Sequence, residues 1–561
     1  MTVQTADRIE LDIALQVGEV TETVTVTAET PALETASASM ASTIDSRRVA
    51  ELPIAHGNPY HLMQLSMGVA FTGSPTLDRP FEPSHIANYS MDGGRGLRNE
   101  LSTDGVPNTS STANRNEIAA AFVPPADIVA EVKVATATFD ATVGQTEGGA
   151  VSMSLKSGTN KFTGTAYLFR MSPGWNANDF FANRNGQPRG AFDYNRWGVS
   201  AGGPIMLPKL YDGRNRTFFM YGYEGIKESR PRGTTTTVPT AAERGGDFSA
   251  LLPLGAVYQF YDPATRRAVS GGRFQSDPLP GNIVPSARIS PIATNILKYF
   301  AMPNVAGTAD FRNNLQLPNQ PEDIDYWTHT VRVDHNIGDK QRIFVRANTY
   351  ERNSTYNNWF DNAATGEWFR FASDGASFDD VYTFSPTFVM NLRYGYNRFI
   401  RNTNGNPASR GFDLTSLGFP ASWNNAISPD IRRFPDINIS GYYRTNSGNI
   451  WRPNDTHAFI AAFDKVQGSH AFKFGGEFRV YRKNEISGGA AATGQLAFSD
   501  SYTRGPLDNA PSAPIGGGLV SFLLGVGTGG SVLRPASFAN QSKVYAFRSE
   551  ERRVGKECRS R

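Results

Sequence analysis

From about residue 161 onward, polar and apolar positions alternate in discrete stretches. In FVMNLRYGYNRF (388–399), Met390, Leu392, Tyr394 and Tyr396 fall on one face, and Asn391, Arg393, Gly395 and Asn397 on the other. In HAFKFGGEFRVYR (470–482), Phe472, Phe474, Phe478 and Val480 oppose Lys473, Glu477, Arg479 and Tyr481. In RIFVRANTYE (342–351), Ile343, Val345 and Ala347 oppose Arg342, Arg346 and Asn348. A period of two is the signature of a strand whose faces meet different surroundings. The same pattern predicts strands at 162–170, 194–203, 216–225, 328–337, 376–384, 456–466 and 541–547.

Alternation alone fits a soluble sandwich as well as a membrane barrel. The connections discriminate. GDKQ (338–341), SPT (385–387) and VQGS (near 466–469) are short, whereas 171–193, 226–327, 352–375, 400–455 and the stretch before 541 are long. Alternately short and long links mark outer-membrane barrels, while compact soluble folds keep most loops short. Within the long links, Ser290 and Pro291 are placed to start a short helix. Trp359, Phe360, Trp368, Phe369 and Phe371 are expected to pack loops together, or else to stack on a ligand.

Upstream the texture differs. Residues 8–27 (IELDIALQVGEVTETVTVTA) alternate as a strand does, and 88–160 read as short strands and tight turns, with Asp-Gly pairs at 92–93 and 104–105.

Composition narrows the function classes. No run of about 20 apolar residues is present, so no transmembrane helix is predicted. No basic segment followed by an apolar core opens the chain, so a signal peptide is expected to be missing. The formal net charge is +3, and all of it resides in the last residues, RSEERRVGKECRSR (548–561). The rest of the chain is balanced, with no basic bias toward nucleic acid. The sole cysteine, Cys558, also lies in that tail. GVGTGG (525–530) has the spacing of a dinucleotide loop but is followed by a proline-containing segment without helix or acid. The seven histidines (56, 61, 85, 329, 335, 457, 470) show no metal spacing. No catalytic residue, metal site or cofactor is predicted.

The segment ETVTVTA, Glu22, Thr23, Val24, Thr25, Val26, Thr27 and Ala28, can add as a strand to a partner's sheet edge, or can end an upstream domain. It resembles the box by which TonB-dependent outer-membrane receptors engage their energy-transducing partner. STIDSRRVAELPIAHGNPYHLMQLSMGV (42–69) and YSMDGGRGLRNELSTDGVPN (89–108) resemble the plug domain of that family, with its turn at Asp104 and Gly105. IVAEVKVATATFDATVGQTEGGAVSMSLKSGTNKFTGTAYLF (128–169) resembles the plug end running into the first barrel strand. RWGVSAGGPI (196–205), RNRTFFMYGYEGIKESRP (214–231), VPTAAERGGDFSA (238–250), NIVPSARISPIATNILKYF (282–300) and RVDHNIGDKQRIFVRANTY (332–350) resemble the Oar-type branch.

The resemblance implies a mainly β protein: a small mixed α/β plug followed by an incomplete antiparallel transmembrane barrel, with roughly 10 of about 22 strands. The expected division is a remnant of a carboxypeptidase-regulatory-like β domain (1–20), the box and a linker (21–40), the plug (41–155), the barrel portion (156–547) and the tail (548–561). The tail resembles translated sequencing-adapter sequence and is expected to be an assembly artefact, the alternative being a real basic arm. The implied activity is import of an extracellular ligand across the outer membrane, powered through a TonB-type partner, without enzymatic activity. Outer-membrane lipid, an unidentified extracellular ligand and the TonB-type protein are the expected partners, and nucleic acid is not. The alternatives are a barrel with an adhesion or surface-assembly role and no import, and a secreted sugar-binding or hydrolytic β-protein.

Overall fold

The computed structural model describes residues 41–553 apart from 53, 73–80, 82–87, 112–117, 137–143, 145, 179, 185, 187, 446–447, 488–492 and 534–536. The box-like segment Glu22 to Ala28 therefore lies outside the described residues.

An inner unit comes first. Its sheet has five strands, β1 (Ala41–Asp45), β2 (Glu100–Thr103), β3 (Val106–Pro107), β4 (Val129–Thr136) and β5 (Gly149–Leu155), in the order β1-β4-β5-β2-β3. Asp45 caps the short helix Ser46–Glu51 by accepting from the Arg48 N–H at 2.9 Å. Apolar side chains of this unit, among them Ile44, Tyr60, Leu101, Val132, Val151 and Met153, form one buried cluster with side chains of later strands such as Tyr194, Ile226, Tyr326 and Phe399.

Ten longer strands follow as one antiparallel meander: β6 (Thr163–Met171), β7 (Asp193–Pro204), β8 (Thr217–Thr236), β9 (Leu315–Ile337), β10 (Gln341–Tyr356), β11 (Glu367–Ser385), β12 (Phe388–Gly405), β13 (Asn449–Gln467), β14 (His470–Ser487) and β15 (Ser537–Arg553). Each overlaps one of the ten stretches predicted from alternation. Most are longer than predicted, because their outer ends, such as ERNSTY (351–356), are polar on both faces and carry no period. Strand β15 does not stop at Phe547 but pairs with β14 as far as Arg553. Among the described residues this sheet does not close: β6 and β15 are its two edges.

The alternation is inside-out relative to a soluble protein. On β10 the face carrying Arg346, Asn348 and Arg352 is buried, with Arg346 only 1% exposed, whereas Val345 on the other face is 50% exposed. The same inversion recurs where Val331, Phe378, Phe459 and Phe474 lie exposed while Asp334, Ser377, Asp379 and Asn397 lie buried. Water would punish that arrangement; hydrocarbon outside and a filled lumen inside reward it. Two aromatic belts bound the outward apolar face. One holds Phe384, Phe388, Phe463 and Phe474; the other holds Tyr223, Trp327, His329, Tyr396 and His457. From Phe388 to Tyr396 is about 27 Å along the strand and about 20 Å across the membrane at the usual tilt.

The strands are joined by short turns at one end only, at 338–340, 386–387 and 468–469. At the other end the long connections fold together. Val238, Phe248, Phe260, Leu297, Leu417, Ile437, Leu519 and Phe522 belong to a second buried core. A parallel pair, Asp436–Ile439 with Gln495–Phe498, stitches two of these connections, and the Tyr442 hydroxyl, on the first of them, donates to Glu243 of a third at 2.5 Å. This cap corrects two details. Pro291 opens the helix Pro291–Leu297, but the Ser290 side chain makes no capping bond. Trp368, Phe369 and Phe371 sit on β11 rather than in a loop, and only Phe360 joins the cap, against Phe300 and Tyr443.

Candidate functional site: the inner unit against the wall

The wall faces the inner unit with one side of its strands from β6 to β14. Across those strands, at about 4.8 Å each, a unit of roughly 100 residues with a radius of gyration of about 13 Å reaches both ends only because the sheet curves around it. Close approach is prepared by glycines. A Cβ on Gly222 would lie 2.7 Å from Ile128 of the inner unit, and one on Gly395 2.7 Å from Val106.

The hairpin β2–β3 is the most heavily held part. Its two central residues, Asp104 (φ 51°) and Gly105 (φ 75°), both have positive φ, as a two-residue turn of the hairpin type requires. This geometry aims the Asp104 carboxylate at the wall. Oδ1 accepts from the Leu155 N–H at 2.9 Å and from Arg332 at 3.0 Å, and Oδ2 accepts from Arg346 at 2.8 Å. Arg332 also donates twice to Asp334, which in turn accepts from Ser157 of the inner unit at 2.8 Å. Gly105 abuts Arg393, which pairs with Asp379. At the start of the same hairpin, Glu100 accepts from Arg479 of β14 at 2.7 Å. Burial pushes the Glu100 carboxyl up, against the pull of Arg479. Asn397 of β12 donates to the Pro107 carbonyl at 2.7 Å, and Phe81 stacks on Tyr326 with ring centroids 4.4 Å apart.

Buried pairs of this kind add little net stability, but losing one partner strands a charge at a cost of about 3–5 kcal/mol. They therefore fix where the hairpin sits along the wall. Glu100, Arg332, Arg346 and Arg479 were not singled out as a site by sequence reasoning. The available signal was a run of inward-facing arginines on strands whose other face is apolar.

On the β7–β8 side the contact is different. His56 packs edge-on against Tyr194 with centroids 5.4 Å apart. Burial first, then the nearby Arg230, His61 and Arg196, push its imidazole down to about 4. His61 bonds the Tyr89 hydroxyl at 2.7 Å, and burial brings it to about 4 as well. Both histidines are held neutral at ordinary pH. The outward histidines join the aromatic belt: His329 bonds Tyr221 at 2.8 Å and His457 bonds Tyr394 at 2.9 Å. Among the described residues no group of three or more His, Cys, Asp or Glu side chains is arranged to hold a metal ion.

Comparison with known proteins agrees with this architecture. No curated protein matches the chain. Among solved structures it is similar to the outer membrane transporter YddB from Escherichia coli, at 11% identity over 91% of this chain and 54% of that one, with a TM-score of 0.53. It is also similar to a mutant of the ferric enterobactin receptor PfeA from Pseudomonas aeruginosa (12% identity, 91% and 54% covered, TM-score 0.45) and to the ferric-catecholate import receptor Fiu from E. coli K12 (12%, 93% and 68%, TM-score 0.43). The chain thus spans about half the length of YddB. At these identities the likeness is one of fold. The family profile for the outer membrane beta barrel domain matches residues 154–550, so this inside-out sheet is a membrane wall, and the chain belongs to the outer membrane beta barrel domain family.

Proposed function

We propose that the chain is the plug and part of the barrel of a TonB-dependent receptor that binds an extracellular ligand and imports it. The observation that carries this reading is the inner unit seated against the wall, where exchangeable ion pairs at the Asp104–Gly105 hairpin stand beside a shared apolar cluster. The ion pairs can be replaced by water when the plug is pulled. In this reading Glu22 to Ala28 form the handle, adding as a strand to a TonB-type partner in the periplasm. Asp104 and Gly105 form the plug turn that docks on the wall. Outer-membrane lipid surrounds the belts, the ligand meets the cap, and the chain performs no catalysis. The similar structures are transporters and receptors.

The test is Val24→Pro, which removes a main-chain donor from the added strand. Binding of the receptor to the periplasmic domain of its TonB-type partner should fall at least about tenfold, the loss expected from one or two strand hydrogen bonds. Unchanged binding sinks the import reading. The cap, folded around its own core, favours a second reading in which the barrel serves adhesion or surface assembly without import; cells carrying Val24→Pro would then adhere as before.

A further inference from the structure

Four buried arginines of the wall come with carboxylates. Arg196 has Glu224, Arg346 has Asp104, Arg452 has Glu485, and Arg479 has Glu100. Arg433 differs from these four. It lies in the connection 406–448 and is 3% exposed. Among the described residues no carboxylate comes within ion-pair distance of it. Its guanidinium donates only to neutral oxygens: the Asp430 carbonyl at 2.9 Å, the Arg432 carbonyl at 2.8 Å and the Asn404 side-chain oxygen at 2.9 Å. Its Nε is buried and has no partner.

The surroundings are cationic. Arg432 donates to the carbonyls of Asn424 (2.9 Å) and Gly411 (3.3 Å), and its Nε is also buried without a partner. The exposed Arg410 guanidinium lies 4.9 Å over the Trp368 ring. Burial first, then Arg410, push the Arg433 guanidinium down to about 10, with Asp430 opposing. Asp413, on the same connection, is occupied by Thr415 at 2.7 Å. The backbone holds the cluster in place: Gly411 N–H donates to Arg432 O at 2.9 Å, and Arg433 N–H to Thr493 Oγ1 at 2.8 Å.

The location is equally specific. Trp368 and Asn404 are a cross-strand pair on β11 and β12, on the face opposite the neighbouring pair Phe369–Thr403. Phe369 and its inward neighbours belong to the core shared with the plug, so Trp368 and Asn404 face outward. Asn404 stands eight residues beyond Tyr396 of the upper belt, about 27 Å farther along the strand. The cluster is therefore on the outer flank of the barrel, above the apolar band.

We propose that Arg410, Arg432 and Arg433, with Asn404, form a binding site for a phosphate-type anion on this flank. A buried guanidinium that no carboxylate touches is costly, and the Asp430 and Asp413 carboxylates act on Arg433 and Arg432 only from beyond contact distance. A phosphate oxygen reaching the free Nε groups would supply the missing charge, and the guanidinium fork matches phosphate geometry. The anion is either the phosphate of a lipid headgroup in the outer leaflet or a free phosphate in the medium. The site does not depend on import.

The test uses the full chain in detergent, titrated calorimetrically with inorganic phosphate and with pyrophosphate. In parallel, the detergent-free protein is co-sedimented with phosphatidylcholine vesicles with and without phosphatidic acid. Wild type should bind in at least one arm. Arg433→Lys, which keeps the charge but loses the fork, and Arg410→Ala, at an exposed position that leaves folding intact, should each weaken that binding about tenfold. Binding only to vesicles with phosphatidic acid assigns a lipid headgroup; binding of free phosphate assigns a soluble anion. No binding by wild type in either arm, or equal binding by Arg410→Ala, overturns the proposal.

Discussion

The plug meets the wall through Asp104, Glu100, Arg332, Arg346 and Arg479, whereas the cap at the outer end of the same strands is closed by Phe248, Phe260, Leu519 and Phe522. Both joints are buried, yet the first adds a set of ion pairs to a shared apolar cluster holding Ile128, Tyr194, Ile226 and Tyr326, and the second rests on an apolar core. An apolar joint has no substitute for its contacts in water. An ionic joint does, because each group can be solvated once separated. The charged part of the plug contact can thus be exchanged for water, which the apolar core of the cap cannot. The difference also separates what each joint specifies: the apolar core fixes that the loops associate, while the charges fix the position at which the hairpin docks.

Removing one charge should break the plug side most severely. Asp104→Ala leaves Arg346 buried and unpaired, and plug docking should weaken by about 3–5 kcal/mol, read as protease access to the plug hairpin with cap unfolding unchanged. Phe260→Ala tests the opposite member of the comparison. It should cost the cap about 3–5 kcal/mol, visible as early melting of the connections, while plug protection is retained. Cap and plug melting together in both variants would show that the two joints are one cooperative unit.

Acidification should discriminate more gently. His56 and His61 drop from an ordinary value of 6.5 to about 4 in the folded protein. The unfolded chain then binds more protons between those values, so their contribution to stability is complete above pH 6.5 and is lost as pH falls toward 4. Glu100, raised by burial, works in the opposite sense. The histidine part is isolated as the difference between wild type and His56→Gln/His61→Gln, and should reach at most about 3 kcal/mol per histidine. A cap-only response to acid would contradict it. The smallest expected effect is steric: Gly395→Val drives a side chain into Val106, and the displaced plug should lose about 1–3 kcal/mol, with the strand pairing of β12 unaffected in circular dichroism.

Much of the wall was legible in the sequence. The alternation at Met390, Leu392, Tyr394 and Tyr396 places β12 and its two faces without further help, because a strand exposes its neighbours to opposite sides. The outer strand ends, such as Ser354 to Tyr356, were not legible, since polar residues on both faces leave no period. Asp104 and Gly105 announce a turn through their tolerance of positive φ. Nothing in the local text says that the turn carries a carboxylate to Arg332 and Arg346, more than two hundred residues away. The cap was the least visible part, because its core is assembled from short apolar groups in several loops, none periodic enough to declare an element.

The sequence by itself determined local things: strands, their faces, their turns and the family to which they point. Two decisions were left to the tertiary structure. The first is which face is inside, since alternation is symmetric and only the sight of Arg346 buried against Val345 exposed shows that the polar side is the interior. The second is which charges meet, since pairs such as Glu100 with Arg479 are set by the curvature of the wall around the plug, a property of all the strands together and of no single stretch of chain.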